Sequence, residues 1–380
     1  MGGTKRRCQA GSRQTLIQAL VAIVAAGASY AWAMSIAPAP VSRHISAPEA
    51  MLVRALLDIS DSKFSSARDH IDSLLVANPN FRLAQLVKGD LLLARARPIN
   101  SIGNASGGSA EQVAGLRDEA RVRLMRSQID PAPELAPRYL LQLPKKEKLA
   151  LVLDSTKSTL FVFENTGKTP RYVADYYVTI GKNGLEKLRE GDKKTPVGVY
   201  HVVSRLPKDK LTDFYGSGAY PISYPNEWDR MRGRDGHGIW LHGTPRDTYS
   251  RPPRASDGCI VLSNQDLETL AAQLQIGSTP IVIADSIDWA KPEEVESLRA
   301  DLASSIESWR HDWESRNTDA YLRHYARGFT SNGVNLAQWA AQKHQVNAGK
   351  TWIKVNISDM SLLLYPGKEE MAVATFEQDY

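Results

Sequence analysis

The stretch GHGIWLHGTPRDTYSRPPRASDGCIVLSNQDLETLAAQL, residues 236–274, decides how the rest of the chain is interpreted. Its first part alternates with a period of two, so Ile239 and Leu241 share one face of a predicted strand, and Gly238, Trp240 and His242 share the other. A histidine therefore stands at the end of a strand, where the chain enters a loop rich in arginine and proline.

The chain reaches a cysteine, Cys259, seventeen residues after His242. Gly258 permits a tight bend before it, residues 260–262 predict a short buried strand, and Ser263 or Asn264 can cap a helix whose apolar stripe is Leu267, Leu270 and Leu274. A free thiol has a pKa of roughly 8.5, so a cysteine nucleophile needs an activating neighbour such as an imidazole. The alternative is a small buried core residue.

The segments IWLHG and SDGC, with the following SN, resemble the L,D-transpeptidase catalytic-domain family of bacterial cell-wall enzymes. GDKKTPVGVY (residues 191–200) also matches the Lys-Thr-Pro-x-Gly turn and strand of that family. The resemblance covers about residues 148–285 and implies a mainly-β catalytic domain, no cofactor, and a peptidoglycan stem peptide attacked after its meso-diaminopimelate centre. It implies that Cys259 is the nucleophile that forms a thioester, that His242 is the proton acceptor and donor, and that the backbone carbonyl of Gly243 orients the imidazole.

Substrate contacts are expected around the same stretch. The backbone amides of Gly258 and Cys259 would stabilise the oxyanion. Residues 215–228 (YGSGAYPISYPNEW) predict either a lid over the thiol or an ordered connector. The residues expected to contact substrate are Trp240, Ser256, Gly258 and Tyr220.

Two positions depart from the family pattern and keep several functions open. Asp257 stands where most members have a second histidine, and Val261 stands where many have arginine. Transpeptidation is the family's usual reaction, but an L,D-carboxypeptidase or endopeptidase that trims stems and sets cell shape is the alternative. A non-catalytic wall-binding protein is a further alternative, and so is a metal site formed by His237, His242 and Cys259. The assignment adopted here has no metal ligand.

Composition restricts the partners. The 380 residues carry a net charge of +5, and the basic residues are dispersed. This pattern gives no support to nucleic-acid binding. It is compatible with weak attraction to an anionic wall polymer.

Residues 1–40 predict a targeting segment, because a basic start precedes an apolar run from Leu16 to Met34 and an Ala31-Trp32-Ala33 cleavage site. It is either a cleaved signal peptide or an uncleaved anchor in the inner membrane, and both place the body in the periplasm. Cys8 lies in this leader, so the exported body holds only Cys259. A single unpaired cysteine in an oxidising compartment favours a functional thiol.

The sequence predicts a multidomain chain. Residues 48–130 predict a helical, tetratricopeptide-like arm for packing or for docking a protein partner, and its arginines 117, 121, 123 and 126 are expected on a solvated face. Residues 131–147 predict a linker and residues 148–286 the catalytic domain. Residues 292–380 predict helices followed by strands at 352–357, 361–365 and 371–376, which resembles a nuclear-transport-factor-like α+β cone. Such cones bind something in their mouth or pair with one another, and this one is either incomplete or ends in an exposed edge strand.

Overall fold

The computed structural model describes residues 19–21, 45–99, 101–104, 107–128, 134–367 and 370–380. The predicted leader lies outside these residues except for the short strand β1 (Ala19–Val21), which pairs antiparallel with residues 372–374. Within the described ranges, no helix combines the length and the apolar character needed to cross a bilayer.

The first unit is helical. Its helices are α1 (Ala47–Ser60), α2 (Phe64–Ala77), α3 (Arg82–Leu93) and α4 (Ala110–Ser127). The α4 helix begins at a capping box, in which the Ser109 side chain accepts from Gln112 N and the Gln112 side chain accepts from Ser109 N. Apolar stripes spaced by three and four residues close a common core that includes Leu52, Ile71, Leu74 and Phe81.

The expectation of a solvated arginine face on α4 is wrong for two residues. The side chains of Arg123 and Arg126 are 2% and 3% exposed. Arg123 pairs with Glu49 of α1 and Glu119 of its own helix, and Arg126 pairs with Glu49 and Asp175. A buried guanidinium needs such carboxylate partners, and two of them, Glu49 and Asp175, come from segments far away in the sequence.

A five-stranded sheet carries the catalytic region. Five of the strands between residues 136 and 290 form this sheet, and the others form smaller ones. The strands in chain order are β2 (Ala136–Pro137), β3 (Leu140–Gln142), β4 (Leu149–Asp154), β5 (Thr159–Glu164), β6 (Arg171–Tyr177), β7 (Ile180–Gly181), β8 (Gly198–His201), β9 (Ala219–Pro221), β10 (Trp240–His242), β11 (Arg254–Ser256), β12 (Ile260–Val261), β13 (Pro280–Ala284) and β14 (Trp289–Ala290). Short helices α5 (Glu227–Met231) and α6 (Asn264–Ala271) lie between them.

The main sheet has the order β6-β5-β4-β13-β8, and β4 is parallel to β13. It is buried on both faces, because Leu151 and Leu153 enter one core and Ala150 and Val152 enter another. The first core lies between this sheet and a smaller one of order β12-β10-β9, which carries the catalytic stretch.

The C-terminal unit consists of α7 (Pro292–Glu314), α8 (Thr318–Leu322), β15 (Thr330–Ser331), β16 (Val334–Asn335), α9 (Leu336–Ala348), β17 (Asn356–Leu364) and β18 (Ala372–Asp379). The predicted strands 352–357 and 361–365 are wrong as separate elements. They form the single strand β17, whose register against β18 shifts between Ser358 and Ser361, with Asp359 at φ 50°. Residues 352–355 lie before it in no strand.

Part of the expected linker is sheet. Strand β3 pairs with β17 of the C-terminal unit, and β2 pairs with β14. Leu140 is fully buried beside Leu363, in the core that covers the second face of the catalytic sheet. Residues 134–147 therefore join the catalytic and C-terminal units through hydrogen-bonded strands and a shared core.

Candidate active site

His242 lies at the end of β10 with 1% of its surface exposed. Its ring nitrogen Nδ1 is 2.7 Å from the backbone carbonyl oxygen of Gly243. A carbonyl only accepts, so Nδ1 carries the proton and Nε2 presents a lone pair. The structure thus places the Gly243 carbonyl where it can hold the ring in one tautomer.

Cys259 lies immediately before β12, which runs parallel to β10. The pairs Leu241–Ile260 and His242–Val261 set a register that places Cys259 next to Trp240. Alternation then puts the side chains of Cys259, Trp240 and His242 on the same face. With strands about 4.8 Å apart and a rise of about 3.3 Å per residue, the Cα atoms of Cys259 and His242 are separated by about 8 Å.

The resting thiol donates to the carbonyl oxygen of Gly238 at 3.3 Å, and Cys259 is partly exposed. Burial raises the pKa of the Cys259 thiol, while a hydrogen bond from the Trp240 backbone and the charge of Arg251 act in the opposite direction. Burial lowers the pKa of His242 to about 4. Both groups are therefore neutral near pH 7.

The loop before the thiol uses its polar atoms internally. The Ser256 hydroxyl donates to the Cys259 carbonyl oxygen at 2.6 Å and accepts from the Gly258 N–H at 3.1 Å. Both Ser256 and Gly258, expected to contact substrate, are buried, and the Gly258 amide already donates to the Ser256 hydroxyl. The backbone N–H of Cys259 has no hydrogen-bond partner among the residues described, and it remains available to an oxyanion.

Gly258 is required by space as well as by conformation. Its φ is +125°, and a Cβ there would lie 2.7 Å from the Lys194 carbonyl oxygen. The Thr195 hydroxyl donates to the Gly258 carbonyl oxygen at 2.9 Å, which ties the Lys-Thr-Pro turn to the thiol loop. The matching turn at residues 191–200 therefore supports the backbone beside the nucleophile.

Asn264, proposed as a helix cap, joins the loops around the base instead. Ser263 is the N-cap of α6. The Asn264 side chain accepts from Ser217 N at 2.8 Å and donates to the Thr244 carbonyl oxygen at 2.8 Å. A Cβ on Gly243 would lie 2.1 Å from its Oδ1 atom, so the glycine after the histidine leaves room for this amide.

Aromatic rings surround the base. Tyr215 and Phe214 have ring centroids 5.2 and 5.7 Å from the His242 ring, and Tyr215 is 4.9 Å from Trp240. Tyr220, expected to contact substrate, is 4% exposed and pairs with Leu241, so its side chain lies on the core face. Trp240 lies on the face of the thiol and is partly exposed.

Two cations were missed by the sequence reasoning. Arg251 lies with its Cζ 4.6 Å from the Phe214 ring centroid, and buried Lys187 pairs with Asp192 at 2.9 Å. Both lower the pKa of Cys259. The sequence does place Arg251 between the base and the nucleophile. Several arginines lie in that segment, however, and no sequence feature distinguishes Arg251 from the others.

The metal alternative finds no support in the geometry. His237 is 78% exposed and lies 3.5 Å from Glu190, away from the buried His242. The described part of the chain contains no cluster of three or more histidine, cysteine or acidic residues able to hold a metal ion.

Comparison with known proteins agrees with this architecture. A model of the L,D-transpeptidase catalytic domain matches residues 148–283, and a model of the Cds6 C-terminal NTF2-like domain matches residues 301–380. No curated protein sequence matches the chain.

Solved structures match over more of the chain. The structure of Bd1075 from Bdellovibrio bacteriovorus is 30% identical, covers 64% of this chain and 88% of its own, and has a TM-score of 0.55. The helical cell shape determining protein Pgp2 from Campylobacter jejuni is 28% identical, covers 64% of this chain and 85% of its own, and has a TM-score of 0.54. A point mutant of Pgp2 is 28% identical, covers 68% of this chain and 87% of its own, and has a TM-score of 0.54.

The fold is a helical N-terminal region, a β-rich catalytic domain and a C-terminal NTF2-like α+β domain. The chain belongs to the family of proteins that carry the L,D-transpeptidase catalytic domain. It is therefore a member of a family of cysteine enzymes that act on peptidoglycan, outside the cytoplasm.

Proposed function

We propose that the protein is an L,D-transpeptidase that carries half of a peptidoglycan stem peptide as a thioester on Cys259. The observation that supports this most is the pairing of β10 with β12, which brings His242 and Cys259 onto one face of adjacent parallel strands. The hydrogen bond of Nδ1 to Gly243 leaves Nε2 as the proton acceptor.

The reaction begins from a neutral pair. Nε2 of His242 takes the thiol proton as the sulfur attacks the carbonyl carbon of the stem-peptide bond. The carbonyl π electrons move to oxygen, and the unpartnered N–H of Cys259 donates to that oxyanion. The tetrahedral intermediate then collapses, the C–N bond breaks, and the imidazolium gives its proton to the leaving amine.

The second half reverses these roles. An acceptor amine loses a proton to His242 and attacks the thioester, which restores the thiol and completes transpeptidation. The Asp257 side chain beside the nucleophile is 78% exposed and lies 3.8 Å from Lys193.

A second candidate is an L,D-carboxypeptidase, in which water attacks the same thioester. It is favoured by the similarity to Pgp2, whose structure is described as that of a helical cell shape determining protein. The two candidates share Cys259, His242 and the acyl-enzyme, and they differ only in the acceptor.

The experiment that separates them uses a purified stem tetrapeptide with and without an amine acceptor. Transpeptidation predicts a cross-linked product that needs the acceptor and disappears in the Cys259→Ala variant. Free terminal D-alanine with no cross-linked product would instead assign the carboxypeptidase. A protein that forms neither product, while still binding the peptide, would be a wall-binding protein.

The compartment belongs to the same proposal. We place the enzyme in the periplasm, released or held at the inner membrane by residues 1–40. A protein partner for the helical arm or for the C-terminal domain remains part of the proposal. Cell fractionation with a size comparison of the mature protein tests the leader.

A further inference from the structure

The loop between base and nucleophile is held by the helical arm. Tyr249 stacks on Phe81 with ring centroids 4.4 Å apart, and its N–H donates to the Asn80 carbonyl oxygen at 3.2 Å. The Ser250 hydroxyl donates to Glu119 at 2.6 Å. The arm therefore fixes the two residues that precede Arg251.

The other side of the loop is fixed by the sheet. The carbonyl oxygen of Arg251 accepts from the Tyr177 hydroxyl at 2.9 Å and from the Thr179 hydroxyl at 3.0 Å. Thr179 in turn exchanges two backbone hydrogen bonds with Val261, two residues after the nucleophile. The backbone of Arg251 is thus anchored next to the strand that begins at Cys259.

The Arg251 side chain extends from this anchor over Phe214, whose ring lies 5.7 Å from that of His242. It is half-buried, and within the described ranges it forms no ion pair. The nearest acids have other partners, because Asp247 pairs with Arg82 at 2.8 Å and Asp257 lies 3.8 Å from Lys193. Burial lowers the pKa of Arg251, because a half-buried charge loses hydration, while the charges of Asp257, Cys259 and Asp247 act in the opposite direction.

We propose that Arg251 binds a free carboxylate of the stem peptide within one residue of the bond that Cys259 attacks, an inference that rests on the proposed function. A guanidinium presents a planar fork that matches a carboxylate, and in a partly dehydrated site such a pair is selective. Val261 leaves the position two residues after the nucleophile without a charge, whereas Arg251 supplies a cation from the neighbouring loop and lies over Phe214. The carboxylate belongs either to the terminal residue that leaves or to the diaminopimelate residue that stays.

The test measures binding, so it does not depend on turnover. In the Cys259→Ala background, the Kd of a stem tetrapeptide is compared with that of its C-terminal carboxamide and of its diaminopimelate carboxamide. One of the two amides is expected to weaken binding roughly 10-fold or more. Arg251→Gln is expected to weaken the unmodified peptide by a similar factor and to bind that amide no more weakly than the acid.

Two control variants test whether the effect is specific to the guanidinium of Arg251. Arg254→Gln changes an exposed arginine three residues further on, at the start of β11, and is expected to leave all three Kd values unchanged. Arg251→Lys is expected to retain part of the preference. The amide that matters identifies the source of the carboxylate. Equal loss on all three peptides in Arg251→Gln, or no loss on either amide with the native arginine, overturns the inference.

The outcome is separable from that of the proposed function. Absence of Cys259-dependent products with the unaltered protein would remove the transpeptidase and carboxypeptidase assignments, whatever Arg251 binds. Normal products together with indifference to both amides would remove only the role of Arg251. Normal products together with a preference for one acid that needs Arg251 would support both.

Discussion

At the scale of single residues, the central pair rests in its neutral forms. Burial lowers the pKa of His242 to about 4 and raises the pKa of the Cys259 thiol. The imidazole therefore does not hold a resting thiolate, and proton transfer accompanies attack on the substrate. A slow reaction of the free thiol with an alkylating reagent near pH 7 is compatible with catalysis.

The first prediction concerns pH. Since His242 accepts a proton only in its neutral form, kcat/KM for the stem peptide is expected to fall as pH drops through about 4, rather than near the ordinary imidazole value of about 6.5. Alkylation of Cys259 by iodoacetamide is expected to be slower than that of a small thiol at pH 7. A pH–rate limb centred at 6.5, with rapid alkylation at neutral pH, would contradict the neutral pair.

The second prediction concerns Asn264, which acts through backbone rather than substrate. Asn264→Ala removes the amide that joins Ser217 to Thr244, so the loops beside His242 lose their spacing. We expect kcat to fall roughly 10-fold or more with a smaller change in KM. Gln265→Ala, at the next position of the same helix, is the control. Equal kinetics for the two variants would refute the positioning role.

The sequence carried the centre of the site but not its supports. Cys259, His242 and Gly243 follow from a motif whose residues are close in the chain or fixed by the family pattern. Phe214 reaches the site only because a separate segment returns to it, whereas Arg251 and Asn264 lie within the central stretch but are residue types that are ordinary in loops and at helix starts. The core-facing position of Tyr220 could not be predicted, because the register of β9, which decides its face, does not follow from a short aromatic segment.

At the scale of elements, α4 shows how periodicity misleads when a charged face is buried. Arg123 lies over Phe81 and Tyr177, with its Cζ 5.3 and 3.8 Å from the ring centroids. Its carboxylate partners lie on α1 and on α4 itself. A pattern of four arginines on a polar helix is typical of a solvated surface, and only the tertiary packing separates the buried pair from the exposed one.

The third prediction uses that difference. Arg123→Leu leaves Glu119 buried without its guanidinium and leaves Glu49 with Arg126 as its remaining ion-pair partner, and we expect the free energy of unfolding to drop by about 3–5 kcal/mol at pH 7. Arg121→Leu, on the exposed side of the same helix, is expected to change it by about 0.5 kcal/mol or less. Urea unfolding measures both. The loss in free energy of unfolding for Arg123→Leu is expected to shrink toward pH 5, because the unpaired Glu119 carboxylate then takes up a proton. Equal losses for Arg123→Leu and Arg121→Leu would contradict the account.

Strand prediction succeeded where alternation was clear and failed at partners and bulges. The apolar runs 149–153 and 159–163, each bounded by turn residues, predict strands, and they form β4 and β5 with one further residue each. β17 appears in the sequence as two strands because Asp359 interrupts its apolar pattern at the bulge. The pairing of β3 with β17 could not be predicted from residues 134–147. Alternation of apolar and polar residues shows which face of a strand is buried, but not which strand lies beside it.

At the scale of the whole molecule, the catalytic sheet and the C-terminal unit share a core. Leu363 of β17 packs in the same cluster as Val152 and Phe161 of the catalytic sheet. The side chain of Asn226, at the start of α5, also donates to the Tyr365 hydroxyl at 3.4 Å. These contacts predict that the two units unfold together rather than one by one.

The fourth prediction tests that coupling. Leu363→Ala opens a cavity in the shared core, and we expect it to lower the free energy of unfolding by about 2–5 kcal/mol. In thermal unfolding, the midpoint for loss of catalytic activity and the midpoint for loss of structure are expected to fall by the same amount. Ser358→Ala, exposed on the same strand, is expected to shift neither. A variant whose C-terminal unit melts first, while catalytic activity persists, would show that the units are independent.

The most direct measurement is the intact mass of the protein after brief mixing with a stem tetrapeptide. The account predicts a mass increase equal to the acyl half of the peptide, located on Cys259, removed by hydroxylamine and absent in Cys259→Ala. Peptide products that form equally well with Cys259→Ala, with no adduct on the native chain at any time, would contradict it.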